Sequence, residues 1–267
     1  MSILNISLIQ THLYWEDIAQ NLHHFDQLIK GVRETDLIIL PETFSTAFSM
    51  SSDKLAEPID GSAIQWMKQK AIETGAVICG SLILNEKDKI YNRCVWMRPD
   101  GTYEKYDKRH LFRMGEEDKH FTAGNEQLIV ELKGWKICPL ICYDLRFPIW
   151  SRNKFHTNNQ EVEASYDLLI YMANWPEVRV GAWEKLLYAR AIENQCYVAA
   201  VNRIGEDGLG VNCSGNSMFI DYKGDANWQA ENQKEEVKTI SVNREELSRF
   251  RNKFPVGLDA DKFEIEH

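Results

Sequence analysis

Short, uninterrupted apolar runs that stop at a proline or a polar side chain recur along this 267-residue sequence. Residues 37–40 end at Pro41, and residues 168–173 end at Asn174. Such bounded runs are typical of buried β-strands. Residues 18–30 and 62–74 instead carry apolar side chains at helical spacing. Strands and helices that alternate in this way favour an α/β fold.

Hairpins interrupt this alternation in the middle of the chain. Pro99-Asp100-Gly101 joins predicted strands at 91–97 and 102–106, and Lys133-Gly134 joins 127–132 to 137–143. A mixed β-sheet is therefore favoured over a purely parallel one. The remaining predicted strands are 4–8, 76–84, 168–173, 197–201, 217–220 and 237–242, and the remaining helices are 182–195 and 245–254. Because neither a repeat nor a linker is visible, one domain over residues 1–267 is the simplest interpretation.

Charge and cysteine usage exclude several classes of partner. The net charge of -9 argues against a nucleic-acid binder and against adhesion to an anionic membrane. The first ten residues lack the basic and long apolar regions of a signal peptide. The six cysteines show no paired spacing, so a reducing cytoplasmic setting is expected. Cys138 and Cys142 have no second Cys/His pair to complete a zinc set, and no metal is predicted.

Cys142 is the leading candidate for covalent chemistry. It lies near the end of the apolar strand predicted at 137–143, just before Asp144, Arg146 and Pro148. A cysteine at a rigid strand end can hold its sulfur exposed, as a nucleophile requires. On spacing alone, a buried core cysteine remains the competing interpretation.

Three further strands deliver polar side chains at their ends, namely Glu42, Lys108 and Asn174. In open α/β sheets ligand sites gather at the carboxyl ends of strands, so these residues are expected to meet Cys142. Glu42 would take the thiol proton as general base. Lys108 would lower the thiol pKa and stabilise a tetrahedral oxyanion, with the Tyr143 N–H as a second donor. Taken singly, Glu42 and Lys108 could equally be solvated surface charges.

Several motifs in order resemble those of the nitrilase or carbon–nitrogen hydrolase superfamily. They are Leu40-Pro41-Glu42, Asp107-Lys108-Arg109-His110-Leu111, Cys142-Tyr-Asp-Leu-Arg-Phe-Pro148, Asn174-Trp175-Pro176, Ala189-Arg-Ala-Ile-Glu-Asn-Gln195 and Gly215-Asn216-Ser217. The resemblance implies a four-layer α-β-β-α sandwich, usually a homodimer. It also implies a catalytic set of Glu42, Lys108 and Cys142. A second glutamate is expected at Glu117, with Glu116 as a competitor.

Within the superfamily, the sequences around Lys108 and Cys142 look most like the omega-amidase branch. This resemblance implies hydrolysis of the terminal amide of 2-oxoglutaramate or 2-oxosuccinamate through a thioester, with neither metal nor organic cofactor. Nitriles, N-carbamoyl amino acids and deaminated glutathione remain alternative substrates, because pocket size and charge placement discriminate among them.

An acidic substrate would need a cation beyond Lys108 in so acidic a chain. Arg146 is one candidate for gripping its carboxylate, and Arg179 is another. Arg146 could instead pair with Asp144 or Glu193, while Arg190 is expected to be a buried ion-pair partner. The expected substrate contacts are Tyr143, Arg146, Asn174 and Trp175.

Two other classes of protein stay open at this point. A papain-like protease would pair Cys142 with a histidine, such as His110 or His120. An idle scaffold would need none of the three catalytic residues, although all three positions hold competent side chains.

Overall fold

The computed structural model describes residues 3–265 of the chain. Six α-helices occur in this range, and four short 3₁₀ turns supplement them. The helices are α1 Ile18–Ile29, α2 Ser52–Leu55, α3 Ser62–Thr74, α4 Glu117–His120, α5 Val180–Asn194 and α6 Arg244–Lys253. The 3₁₀ turns are Arg113–Gly115, Cys142–Arg146, Glu177–Arg179 and Val256–Asp259.

Seventeen β-strands form two large sheets and two small hairpin sheets. The strands are β1 Ile3–Gln10, β2 Leu37–Ile39, β3 Glu57–Pro58, β4 Val77–Glu86, β5 Lys89–Met97, β6 Tyr103–Asp107, β7 Val130–Leu132, β8 Trp135–Ile141, β9 Phe155–Asn158, β10 Glu161–Ala164, β11 Leu168–Ala173, β12 Tyr197–Asn202, β13 Ile204–Glu206, β14 Asn212–Ser214, β15 Met218–Ile220, β16 Ala226–Gln229 and β17 Glu236–Asn243.

Both large sheets are mixed. The first has the order β17-β1-β2-β4-β5-β6, with the short β3 beside β4, and its parallel pairs are β1–β2, β2–β4 and β3–β4. The second has the order β16-β15-β12-β11-β8-β7, with parallel pairing of β8–β11 and β11–β12. In each sheet a parallel centre is therefore extended by antiparallel strands, and the predicted mixed topology is confirmed.

The two large sheets pack face to face between helices. Buried side chains of β1, β2, β4, β5 and β6 share one apolar core with those of β8, β11 and β12. Helices α1 and α3 cover the other face of the first sheet through Phe25, Ile64 and Met67. Helix α5 covers the second sheet through Trp183 and Leu187. This is the predicted four-layer α-β-β-α sandwich.

Most predicted elements occur within two or three residues of their expected bounds. Helix α3 and strand β11 match the prediction at both ends. The hairpin of β9 and β10 and strand β16 were not predicted, because their side chains are mostly exposed and polar. Prediction of the Cys142 strand as 137–143 was wrong at its end, since β8 stops at Ile141.

None of the helices within residues 3–265 is both long and apolar enough to cross a bilayer. The six cysteines are free thiols, and all six are buried. The prediction of one domain over residues 1–267 stays a prediction, and its two residues at each end lie outside the described range. Met1 and Ser2, the first two residues of the segment that was predicted not to be a signal peptide, also lie outside the described range.

Candidate active site

Four polar side chains predicted at strand ends line a single cavity of about 530 Å³. Lys108 follows β6, Cys142 follows β8 and Asn174 follows β11, each without an intervening residue. Glu42 lies three residues beyond β2. The two sheets face each other, so strand ends from both sheets contribute to the same cavity, as the strand-end argument predicted.

The Lys108 ammonium is held between two carboxylates. Its Nζ lies 2.8 Å from Glu42 Oε1 and 2.9 Å from both oxygens of Glu117. All three side chains are almost fully buried. Burial alone would lower the pKa of Lys108, but Glu117 and Glu42 outweigh it and raise that pKa. Lys108 is therefore a fixed cation across the range in which proteins are stable.

The structure distinguishes between the two adjacent glutamates. Glu117 is buried as the first residue of α4 and also accepts a 2.6 Å hydrogen bond from the Phe112 backbone N–H. Burial raises its pKa, against the opposing effect of Lys108. Glu116 is exposed and pairs instead with Lys119 at 2.6 Å. Of these two adjacent glutamates, Glu117 is therefore the one that contacts Lys108.

Two amides fix the carboxylate of Glu42. The Asn92 side chain, on β5, donates to Glu42 Oε1 at 2.9 Å and to Glu117 Oε1 at 3.1 Å. The Asn174 backbone N–H donates to Glu42 Oε2 at 2.8 Å, and its side chain donates to the Glu42 carbonyl at 2.7 Å. Asn174 was predicted as a substrate contact, and both its backbone nitrogen and its side-chain nitrogen donate to Glu42. Asn92 was not predicted, although a lone amide inside an apolar strand was a usable signal.

Cys142 opens a 3₁₀ turn directly after β8 with a φ of 43°, in the left-handed region. A non-glycine residue there is strained, which is a feature of functional sites. Its side chain lines the cavity but is only 9% exposed, less than predicted for an exposed strand-end sulfur. The sulfur is therefore presented to the cavity rather than to bulk solvent.

Lys108 lowers the pKa of the Cys142 thiol, as predicted, but its effect does not determine the net shift. Burial and the nearby Glu42 carboxylate raise the pKa of the thiol, and Lys108 opposes them only in part. Glu42 thus favours the protonated form of the thiol. Its resting form is thus a neutral thiol with a carboxylate in place to accept its proton.

Asp144 locks the turn that carries Cys142. One carboxylate oxygen accepts from the Ile141 N–H at 3.1 Å and from the Tyr106 hydroxyl at 2.7 Å. The other accepts from the His110 backbone N–H and lies 2.8 Å from His110 Nδ1. His110 therefore contacts Asp144, whereas Glu42 is the group that acts on the Cys142 thiol. The papain-like pairing of Cys142 with His110 has no support in this geometry.

Arg190 is the buried ion-pair partner that was predicted. It pairs with Glu193 at 2.9 Å and donates to the Leu145 carbonyl at 2.6 Å, inside the Cys142 turn.

Three guanidinium groups line the cavity. Arg146 lies over the Trp175 ring, 4.8 Å from its centroid, and Arg179 lies over the Phe112 ring at 5.3 Å. Arg203 was not predicted. It is 1% exposed, and its Nη1 has no hydrogen-bond partner among the described residues. It follows β12 as Asn174 follows β11, so the strand-end argument could have found it.

The predicted contacts Tyr143 and Trp175 also line the cavity, and the two rings have different neighbours. Tyr143 packs edge-on against Phe112 and Phe147, with centroids 5.1 Å apart in both pairs. The Trp175 indole N–H donates to the Arg179 carbonyl at 2.8 Å. The cavity therefore combines a thiol, a carboxylate, several cationic side chains and aromatic walls.

Comparisons with known proteins agree with this geometry. The family model described as carbon-nitrogen hydrolase matches residues 5–252. Omega-amidase YafV of Yersinia enterocolitica is 44% identical over 98% of this chain and 99% of its own length. The 2-oxoglutaramate amidase of Bacillus subtilis strain 168 is 33% identical over 96% of this chain and 97% of its own.

A solved structure from Xanthomonas campestris, of a CN-hydrolase superfamily protein with an arsenic adduct in its active site, is 42% identical. It superposes with a TM-score of 0.95 over 100% of both chains. Yeast Nit3, at 23% identity and a TM-score of 0.81 over 96% of this chain and 95% of its own, shares the fold. From the family match, these relatives and the matching fold, we conclude that the chain belongs to the carbon–nitrogen hydrolase family and is an enzyme.

Proposed function

We propose that this enzyme is an omega-amidase that hydrolyses the terminal amide of 2-oxoglutaramate or 2-oxosuccinamate. The products are the dicarboxylic 2-oxo acid and ammonia. The observation that carries this proposal is the buried arrangement of Cys142, Glu42 and Lys108 in a cavity that three arginines also line. The names of the relatives, omega-amidase and 2-oxoglutaramate amidase, point to the same substrate.

Acylation begins with Cys142 and Glu42. Because the pKa of the thiol is raised, sulfur attacks the amide carbon as Glu42 removes its proton. The C–S bond forms and the carbonyl π electrons move to oxygen. Glu42 then returns the proton to the amide nitrogen, the C–N bond breaks, and ammonia leaves a thioester on Cys142.

Oxyanion stabilisation falls to Lys108 and the Tyr143 backbone N–H. The negative oxygen develops beside a lysine that two carboxylates and burial already hold in place. Fixed donors in a dry site stabilise such charge more strongly than water does. Glu117 contributes by orienting Lys108 and by balancing its charge.

Deacylation repeats the sequence with water in place of the thiol. Glu42 takes a proton from a water molecule as the water oxygen attacks the thioester carbon, and the C–S bond then breaks. The sulfur leaves with the proton that Glu42 returns. The dicarboxylate is released and the neutral thiol is restored.

The arginines supply the selectivity in this proposal. A 2-oxo acid amide carries a carboxylate at the end opposite the reacting amide, and a guanidinium can bind it with two hydrogen bonds. Arg146, Arg179 and Arg203 all line the cavity, although the chain's net charge is -9. Tyr143 and Trp175 would wall the acyl chain between them.

A second candidate is a bulkier amide, such as deaminated glutathione. It is favoured by the cavity rim, where Met114, Val178 and Leu209 are strongly exposed apolar side chains. Such a rim could contact a longer acyl group that a five-carbon substrate would not reach.

The proposal includes a cytoplasmic homodimer. Six free cysteines are consistent with a reducing compartment, and the resemblance to the superfamily implies dimerisation. Sedimentation of the purified protein, with the dimer mass expected and a monomer contradicting it, tests the assembly.

The test of substrate class is ammonia release from 2-oxoglutaramate, deaminated glutathione, N-carbamoyl-β-alanine and a simple nitrile. The largest kcat/KM is expected for 2-oxoglutaramate. Arg146→Ala, Arg179→Ala and Arg203→Ala are each compared with Lys119→Ala, a control at an exposed surface pair. At least one arginine variant should raise KM for the oxo acid amide about tenfold or more, while turnover of an uncharged amide stays unchanged. Preference for another substrate would keep the chemistry and discard this substrate.

A further inference from the structure

Three side chains of metal-ligating type converge at one edge of the first sheet, outside the machinery described above. One ring nitrogen each of His12 and His24 and a carboxylate oxygen of Glu235 all lie within 4.8 Å of one another. Among residues 3–265, these three side chains form the one group of His, Cys, Asp or Glu residues whose ligand atoms lie close enough together to share an ion. The amidase mechanism uses none of the three.

The fold fixes the backbone of each residue. His12 lies two residues beyond β1 and forms an isolated bridge with Ile204, while His24 belongs to α1. Glu235 immediately precedes β17, which pairs with β1 along its whole length. Three separate segments thus bring their side chains to one point.

Buried Gln10 holds the Glu235 segment against the end of β1. Its side-chain Nε2 donates to the Glu231 carbonyl at 2.8 Å and to the Lys234 carbonyl at 3.0 Å. The turn that delivers Glu235 is therefore ordered before any ligand binds, which reduces the entropy lost on binding.

The separations suit a small tetrahedral ion. Metal–ligand bonds of 2.0–2.1 Å place neighbouring ligand atoms of a zinc tetrahedron about 3.3 Å apart. Here Glu235 Oε2 lies 3.6 Å from His12 Nδ1 and 2.7 Å from His24 Nε2. Side chains of His12 and Glu235 are 41% and 37% exposed, so they can make the small adjustments that remain and an ion can enter from solvent.

Neighbouring groups also bear on this site. The His12 and His24 rings are adjacent, with centroids 4.5 Å apart. The Thr11 hydroxyl hydrogen-bonds to Glu235 Oε2 and lies 2.8 Å from His24 Nε2, so in the metal-free site it occupies the contact that the ion would replace at that nitrogen.

We propose that His12, His24 and Glu235 bind one divalent transition-metal ion, and that zinc fits this set of two imidazoles and one carboxylate best. Water completes the coordination. The ion ties the end of β1 and helix α1 to the segment before β17, beside the start of the β13–β14 hairpin. That hairpin follows Arg203, and the loop between its strands lines the substrate cavity.

The test is calorimetric titration of the metal-free, full-length protein with Zn²⁺ in a Cys142→Ala background, which removes the thiol of the cavity. One equivalent is expected to bind. His24→Gln and Glu235→Gln should each weaken binding at least tenfold. His23→Gln is the matched control, because His23 is the exposed neighbour of His24 on the same helix, and it should bind as the parent does.

Absorption of the Co²⁺-substituted protein identifies the donors. Visible d–d bands of a nitrogen and oxygen tetrahedron are expected, without thiolate charge transfer in the near ultraviolet. Thiolate bands, or no binding of one equivalent, or equal affinity in the parent and His24→Gln, would each overturn the proposal.

Thermal unfolding in chelator verifies that the variants fold. If His24→Gln is unfolded, the half-exposed His12→Gln replaces it, with the same tenfold loss expected and undiminished affinity contradicting the site. Amidase activity of metal-free protein is a separate readout, so failure here and failure of the amidase proposal can be distinguished.

Discussion

Lys108, Glu42 and Glu117 form a buried cluster of one cation and two carboxylates. Removing three charged groups from water is unfavourable unless every polar atom finds a partner, and replacement of such clusters by apolar groups often stabilises proteins. Asn92 supplies two of the hydrogen bonds that make this cluster tolerable. We interpret the cluster as one maintained for chemistry at the expense of stability.

We predict that Glu117→Gln lowers kcat for amide hydrolysis about 100-fold, because Lys108 loses one of its two charged anchors. Steady-state kinetics is the measurement. Glu116→Gln, one residue away and exposed, is the control and should leave kcat unchanged. Equal effects of the two substitutions would contradict the role assigned to Glu117.

Replacing Glu42 should separate thiol ionisation from turnover. Its carboxylate raises the pKa of Cys142, so Glu42→Gln should lower that pKa and move iodoacetamide modification of Cys142 to lower pH. Hydrolysis should nevertheless fall at least about 1,000-fold, because the base is lost. Mass spectrometry of the Cys142 peptide across a pH series measures the first effect. A modification profile that stays in place or moves to higher pH would contradict it.

Strand-end reasoning could select Glu42, Lys108 and Cys142 from sequence, because Glu42 and Cys142 follow apolar runs and Lys108 follows a strand of a predicted hairpin. It could not give the thiol pKa, which depends on how deeply Cys142 is buried and on the carboxylate beside it. Arg203 was missed because a buried arginine beside an apolar strand resembles a structural ion pair.

At the level of secondary structure, the 3₁₀ turn Cys142–Arg146 determines where the sulfur points. Asp144 accepts hydrogen bonds from the backbone on both sides, at Ile141 and at His110, and Arg190 binds the turn at Leu145. The turn is thus held by β8, by the segment after β6 and by α5. These contacts can maintain a left-handed Cys142 against its intrinsic preference.

We predict that Cys142→Gly is at least as stable as Cys142→Ala. Alanine keeps the strain of a φ of 43°, whereas glycine adopts that φ freely, so the difference should reach about 1 kcal/mol in favour of glycine. Urea unfolding of both variants measures it. A glycine variant that is clearly less stable would show that the backbone at this position is unstrained.

Buried helices and strands were easier to predict from the sequence than exposed ones. Strand β11 and helix α3 were predicted to the residue, because both have a clear apolar pattern and distinct ends, at Asn174 and at Gly75. The β9–β10 hairpin has one buried residue among the eight of its strands and gives no such pattern. The end of β8 was misplaced because Cys142 and Tyr143 continue its apolar run beyond the point where pairing stops.

For the molecule as a whole, the C-terminal helix α6 is tied to the second sheet by a buried ion pair. Arg251 Nη1 lies 2.6 Å from Asp167 Oδ1, and the guanidinium also donates to the carbonyls of Gln195 and Tyr166. Both charged side chains are nearly inaccessible to solvent. The last helix therefore anchors the start of β11, whose other end delivers Asn174 to the active site.

Arg251→Ala should lower the free energy of unfolding by about 3 kcal/mol, because the partly exposed Arg244 would then be the remaining charged partner of Asp167, beside a hydrogen bond from the Lys136 backbone N–H. Lys234→Ala breaks the surface pair with Glu231 and should change stability by less than about 0.5 kcal/mol. Chemical unfolding of both variants provides the comparison. Similar values for the two would contradict the anchoring role of Arg251.

The family resemblance implied the four-layer architecture, whereas the alternation of elements indicated only an α/β fold with a mixed sheet. How the two sheets meet could not be predicted from apolar patterns, since buried strands are apolar on both faces. Glu42 follows a strand of the first sheet and Asn174 follows a strand of the second. Their hydrogen bond therefore depends on how the two sheets pack against each other.

The central claim is that Cys142 carries the acyl group during turnover. The most direct measurement is acid quenching of the enzyme with saturating 2-oxoglutaramate, followed by intact and peptide mass spectrometry. A mass increase equal to the substrate less ammonia, located on the Cys142 peptide and absent in Cys142→Ala, is the expected result. Continued ammonia release by Cys142→Ala, or an adduct on a different residue, would contradict the mechanism.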